Sequence, residues 1–230
     1  MNRQLAWVLS VGFVASRFWN SSLSGQETKP PAADKWEPEI RKFEEQAQKT
    51  PPPVGANLFV GSSSIRMWKL GPSFPNHVTI NRGFGGSQLA DAAKYAERLV
   101  VAAKPRVVVL YAGDNDIATG KSPEIIRNDY RTFRDKIQTA LPDTRIIAIA
   151  VKPSPSRWKF REQAQETNRL LRAEVEAGKN QTFVDVWPAM LGEDGQPRSD
   201  LFLKDNLHMN ETGYKIWNEL IEPHLATKSE

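Results

Sequence analysis

A chain of 230 residues, 40% hydrophobic and 25% charged, has room for one sizeable hydrophobic core and not for two full domains. Lys and Arg exceed Asp and Glu by only 31 − 27 = 4, and basic residues alternate with acidic ones, as in IRKFEEQAQK. No basic stripe suited to nucleic acid stands out. The absence of cysteine excludes disulfides, thiolate metal sites and a cysteine nucleophile.

The chain starts with MNRQ, which carries a positive charge, then the apolar run LAWVLSVGFVA and the small residues NSSLSG. This layout predicts a secretory signal peptide over 1–25, cleaved after Ser24 or Gly25. The apolar run is short for a bilayer, so no integral span is expected in the mature chain, which would be periplasmic or secreted. An uncleaved interfacial anchor or a frayed N-terminal helix is the competing reading. Residues 26–35, QETKPPAADK, are polar and proline-rich and predict a linker. Residues 36–230 are then expected to form a single domain.

That domain opens with WEPEIRKFEEQAQK, where Trp36, Ile40 and Phe43 recur at helical spacing, before TPPPVG ends the helix. Strands are expected at 57–61, 78–80, 106–112, 145–151 and 182–186. Helices are expected near 87–102, 123–140, 159–178 and 211–225. Ser122-Pro123 supplies an N-cap followed by proline at the first helical position. RVVVL and RIIAIAV scarcely alternate, which suits strands covered on both faces. The alternation of strands and helices predicts a three-layer α/β/α sandwich around a five-stranded parallel sheet.

Such sheets carry their functional loops at the carboxyl ends of the strands. There the sequence offers GSSSI, NRGFGGS, GDND, KPSPSRW and, after the last strand, WPAM and a segment ending in DNLHMN. The serines of GSSS admit three readings: a helix N-cap, a flavodoxin-like loop holding an FMN phosphate, or a nucleophile. The G-x-S-x-G elbow is not met, because Ile65 stands where glycine is needed. Of the histidines His77, His208 and His224, only His208 follows an acid at a useful offset, Asp205, in D-x-x-H. A carboxylate one turn before the ring can fix its tautomer and stabilise the imidazolium. Asn115 of GDND can donate through its amide, and Gly86 can offer an N–H with no side chain in the way. Both are groups that an oxyanion would need.

These four blocks, in this order, resemble the SGNH (GDSL-type) hydrolases, and cover about residues 57–225. GSSSIRMW is similar to the family's G-D-S block with Ser62 in the aspartate's place, and the resemblance implies Ser63 as nucleophile. A slip of one residue would make it Ser64, which otherwise helps start the short helix behind it. NRGFGGSQ, GDND and DNLHMN resemble the remaining blocks. They imply Gly86 and Asn115 as oxyanion donors beside the Ser63 N–H, and Asp205 and His208 as the remaining catalytic pair. GSSSIR and YAGDND look closest to members similar to platelet-activating-factor acetylhydrolase.

The expectation is a serine esterase, without metal or cofactor, that removes a short acyl group, acetyl above all, from a small-molecule or carbohydrate ester. Lysophospholipase-type activity and a non-catalytic sugar- or lipid-binding relative are the alternatives, with an FMN module more distant. Arg66, Arg82 and Lys152 are candidates to meet an anionic group. Trp158, with Trp68 and Trp187, is a candidate to stack on a sugar, against a core-packing role for each. Oligomeric state is left open.

Overall fold

The computed structural model describes Met1 and residues 34–226. Apart from Met1, the expected signal peptide and the linker as far as residue 33 lie outside the described residues. No helix among the described residues is long and apolar enough to cross a membrane.

Five parallel strands form one sheet: β1 Asn57–Gly61, β2 Thr79–Gly83, β3 Val107–Tyr111, β4 Arg145–Ile149 and β5 Gln181–Val184. Their order is β2-β1-β3-β4-β5. The strands alternate between two layers although both faces are apolar. Leu58, Val60, Val108, Leu110, Ile146 and Ala148 point into one core, and Phe59, Val107, Val109, Tyr111, Ile147 and Ile149 into the other. The first core is covered by α1 Glu37–Lys49, α4 Leu89–Lys94, α5 Ala96–Leu99, α7 Pro123–Ala140 and α8 Arg161–Glu176. The second lies under the short helices α2 Ser63–Arg66 and α3 Leu70–Ser73 and under α9 Glu211–Ile221. A further short helix, α6 Asp114–Ala118, follows β3. This is the expected three-layer sandwich.

The elements differ in detail from their expected bounds. β2 runs three residues past Ile80, because Asn81, Arg82 and Gly83 pair with Phe59, Val60 and Gly61. Strand pairing here overrides the poor β-propensity of Asn and Gly. The helix expected over 87–102 is broken at Tyr95 into α4 and α5 and then a 3-10 turn. The helix expected over 211–225 stops at Ile221, and Pro223 lies in a 3-10 turn beyond it. The last described residue is stapled to the start of β1, where Asn57 donates to the Ala226 carbonyl (3.0 Å) and accepts from its N–H (2.8 Å).

The chain leaves β1 toward β2 on one side and returns to place β3 on the other, so the sheet's switch point lies between the tips of β1 and β3. Gly61 has φ +134°, and a Cβ there would lie 1.9 Å from the Tyr111 carbonyl oxygen. No L side chain fits that backbone without moving β3. Gly61→Ala is expected to lower stability by roughly 2–5 kcal/mol, combining backbone strain with overpacking. Urea unfolding followed by circular dichroism would measure the loss.

Candidate active site

Ser63 is the first residue of α2, directly beyond the tip of β1, and is half-buried. Its Oγ lies 2.9 Å from His208 Nε2. On the far side of the ring, His208 Nδ1 is 2.6 Å from Asp205 Oδ2. Asp205 Oδ1 accepts the backbone N–H groups of Leu207 and His208, each at 2.9 Å. The aspartate therefore shapes the turn that carries the histidine as well as touching its ring. Asn206, at the centre of that turn, takes the left-handed conformation at φ 54°. Burial alone would raise the Asp205 pKa, but the His208 ring and the two N–H groups outweigh it and hold the carboxyl at about 2.

The loop after β2 is drawn to the same edge. Phe84 N–H donates to the Gly61 carbonyl (2.9 Å), and Gly86 takes φ +79° with Trp36 against it. Both acids and the amide of GDND have separate work. Asn115 Nδ2 donates to the Ser87 carbonyl at 2.9 Å. Asp116, fully buried, accepts the Leu89 N–H at 3.1–3.2 Å and binds Lys121. These two contacts fix the Gly85–Leu89 loop against α6. Among the described residues the backbone N–H groups of Ser63 and Gly86 donate to nothing, and one Asn115 N–H is left over.

Asp114, the third polar residue of the block, belongs to a buried cluster that sequence reasoning did not find. The Lys152 ammonium spends its three protons on Asp114 Oδ2 (3.1 Å), Tyr111 Oη (3.1 Å) and Ser64 Oγ (3.3 Å). Burial pushes the Asp114 carboxyl up, yet the charges of Lys152 and Arg157 hold it below the usual carboxylate range. Burial also drives the Tyr111 phenol well above its ordinary value. The cluster assigns Ser64 a different place from the expected one. Its hydroxyl is buried against Lys152, whereas the N-cap position belongs to Ser62, whose own hydroxyl is buried with no partner among the described residues.

The other candidates divide. Arg66 is exposed, and its guanidinium lies over Gly85, where a Cβ would come within 2.5 Å of Cζ. Arg82 is carried by the extended β2 to the α1 side, buried over the Phe43 ring at 5.0 Å, so it faces away from the strand tips. Lys152 is consumed by the buried cluster. Trp68 is core, with Nε1 donating to Asn218 Oδ1 at 2.9 Å. Trp158 stacks on Trp187, ring centroids 6.0 Å apart, at the margin of the first core.

The sequence profile of the GDSL-like Lipase/Acylhydrolase family matches residues 61–216. Human platelet-activating factor acetylhydrolase IB subunit alpha1 is 24% identical over 113 residues, which is 48% of this chain and 47% of the human protein. The chain thus spans about half the length of the first curated relatives it matches. Among solved structures, a GDSL-like lipase from Bacteroides thetaiotaomicron superposes with a TM-score of 0.69 at 21% identity, covering 80% of this chain and 96% of that one. A catalytic mutant of an acetylxylan esterase from Geobacillus stearothermophilus gives 0.61 at 15% identity, covering 76% and 96%.

The depressed Asp205 carboxyl has a consequence for acid stability. A group lowered from 3.8 to about 2 on folding adds stability above pH 4 and loses it as pH falls through 2. Wild type is expected to exceed Asp205→Asn in urea midpoint near pH 5, with the gap closing between pH 4 and 2. A gap independent of pH would contradict the assignment.

Proposed function

Because the chain belongs to the GDSL-like lipase/acylhydrolase family, we propose that it is a serine esterase that removes a short acyl group, acetyl above all, from a small-molecule or carbohydrate ester. The observation that carries this reading is the continuous relay from Asp205 through His208 to Ser63, 2.6 Å and 2.9 Å long at its two links. Ser63 Oγ attacks the ester carbonyl while His208 Nε2 takes its proton, and Asp205 stabilises the imidazolium from Nδ1. The same proton then goes to the leaving alkoxide. A water, deprotonated by His208 in turn, releases the acid and restores Ser63. The charge on the carbonyl oxygen is met by the N–H groups of Ser63 and Gly86 and the spare N–H of Asn115. Donors of this kind are each worth roughly 10²–10³ in turnover.

The acetyl preference takes its support from the acetylxylan esterase among the structural relatives and the acetylhydrolase among the curated ones. Export through residues 1–25 would bring the enzyme to acetylated polysaccharide. Arg66 and Trp158 are the side chains proposed to face substrate; Arg82, packed on Phe43, is not carried forward. One feature favours a second reading, a lysophospholipase-type preference for longer acyl chains. A groove of about 510 Å³ is lined by Met67, Leu203, Met209 and Tyr214, and Met67 and Leu203 are exposed apolar residues flanking the Ser63 and His208 segments.

Ser63→Ala and His208→Ala are each expected to reduce p-nitrophenyl acetate hydrolysis by on the order of 10³-fold or more, with the circular dichroism spectrum unchanged. Asp205→Ala should cost roughly ten- to a hundredfold less than His208→Ala, since it orients the base and is not the base. Activity retained in Ser63→Ala sinks the nucleophile; activity lost only in Ser64→Ala moves it by one residue. A series of p-nitrophenyl esters from two to twelve carbons separates the two substrate readings. The acetyl reading expects kcat/KM to fall steadily from the acetate, and a maximum at eight carbons or beyond would transfer the assignment to the groove.

A further inference from the structure

One strand tip supplies no group to the proton relay or to the oxyanion in the reading above: KPSPSRW, which follows β4. Its 3-10 turn, Pro155–Phe160, carries Arg157 to the back of the Asn115 amide. Arg157 Nη2 donates to Asn115 Oδ1 at 2.9 Å. Nη1 donates to the Asp114 backbone carbonyl and lies 3.8 Å from Asp114 Oδ2. On its other side the amide meets the Ser87 carbonyl, 2.9 Å from Nδ2.

These two neighbours leave the amide one orientation. A guanidinium has only donors and so requires the amide oxygen; a carbonyl has only lone pairs and so requires the amide nitrogen. Turning the amide over would set N–H against N–H and oxygen against oxygen. With Oδ1 bound by Arg157 and one N–H bound by Ser87, the second N–H is fixed in direction and left to donate. A cation on the amide oxygen also draws electron density from the nitrogen, which strengthens that donor. We infer that Arg157 is a positioning residue for the reaction, holding and polarising the Asn115 amide as an oxyanion donor; this rests on the esterase reading.

Two further observations agree with it. Lys152 and Arg157 both approach the single carboxylate of Asp114, at 3.1 and 3.8 Å, so this buried corner carries one surplus positive charge behind the amide. That sign favours a developing oxyanion over a neutral carbonyl. In addition, Ser156 N–H donates to the Asn206 carbonyl at 3.1 Å, within the turn that holds Asp205 and His208. Adjacent residues of one rigid turn therefore touch both the amide and the histidine loop, and set the spacing between them.

The test is a double-mutant cycle between Arg157 and Asn115, read as kcat and KM for p-nitrophenyl acetate and as the rate of Ser63 labelling by a fluorophosphonate. Asn115→Ala should lower kcat by roughly 10²–10³-fold, and Arg157→Ala by about 10–100-fold with KM changed less than about threefold. Arg157→Lys should recover only part of the loss, because an ammonium cannot reproduce the planar fork. The double variant should be no slower than Asn115→Ala by more than about threefold, since the arginine acts through the amide. Labelling rates should follow the same pattern. Losses that multiply in the double variant, a loss confined to KM, or an Arg157→Ala enzyme within twofold of wild type would each overturn the inference. Should Arg157→Ala fail to fold, Arg157→Lys and Arg157→Gln carry the cycle. Wild type that neither hydrolyses nor labels, or full activity in Ser63→Ala, defeats the esterase reading and this inference with it; a Ser63-dependent enzyme indifferent to Arg157 defeats this inference alone.

Discussion

Among the described glycines, the tightest approach of backbone to backbone is that of Gly61 to Tyr111. A single added carbon at Gly61 would meet the Tyr111 carbonyl at 1.9 Å, and Ser62 N–H donates to that same oxygen at 3.0 Å. The two strand tips that flank the sheet's switch point are thus locked edge to edge before either turns into its helix. Ser63 follows directly from one tip and Asn115 from the other, so their separation is a property of the sheet and not of two independent loops. Tyr111 extends the constraint in both directions. Its ring packs 4.9 Å from Trp217 of α9, and its hydroxyl accepts from Lys152 at the tip of β4. One residue at the centre of the sheet ties β1, β3, β4 and the last helix into the same register.

The buried Lys152–Asp114 pair is a costly element in this frame. Taking both charges out of water costs several kcal/mol per ion, and the pair returns that only where each remaining valence is satisfied. Lys152 meets the condition with three acceptors. Asp114 does not, since its Oδ1 is buried with no partner among the described residues. Replacing such a pair by apolar residues of similar volume is often neutral or stabilising, so its local contacts matter more here than its contribution to stability. Lys152 holds the Ser64 hydroxyl in the buried cluster, and with Arg157 the pair surrounds the base of α6, which carries Asn115.

Much of this was legible in the sequence, for identifiable reasons. The five strands could be read because each is a short apolar run bounded by glycine, proline or polar residues. Asp205 and His208 could be read because their contact is local, three residues apart on one turn. What escaped is non-local. Arg157 and Asn115 are joined across 42 positions, and Lys152 and Ser64 across 88, with nothing in either segment to announce the partner. The tail of β2 escaped because Asn81-Arg82-Gly83 has no strand character of its own and takes its conformation from Phe59–Gly61 beside it. Arg82 was consequently assigned to a loop when it stands in a strand. Ser64 was taken for a helix-starting residue because a serine run gives no indication of which hydroxyl lies inside.

The two halves of the site differ in how they are held. Asp205 and His208 keep 47% and 25% of their side-chain surface exposed, whereas Asp114 and Lys152 keep 9% and 1%. An exposed carboxylate acts through a high effective dielectric, so its influence on the histidine is mainly orientational: it selects the tautomer and shapes the turn. Charges and dipoles on the buried side act through a lower dielectric and cannot be replaced by solvent. On the esterase reading proposed above, the orienting role of Asp205 is the part that solvent can partly imitate, and the donor geometry around Asn115 is the part that depends on the fold. The two sides are held differently: Asn115 is clamped between a backbone carbonyl and a guanidinium, while the histidine sits on a more open turn held by the Asp205 carboxylate and by backbone bonds to Leu203 and Ser156.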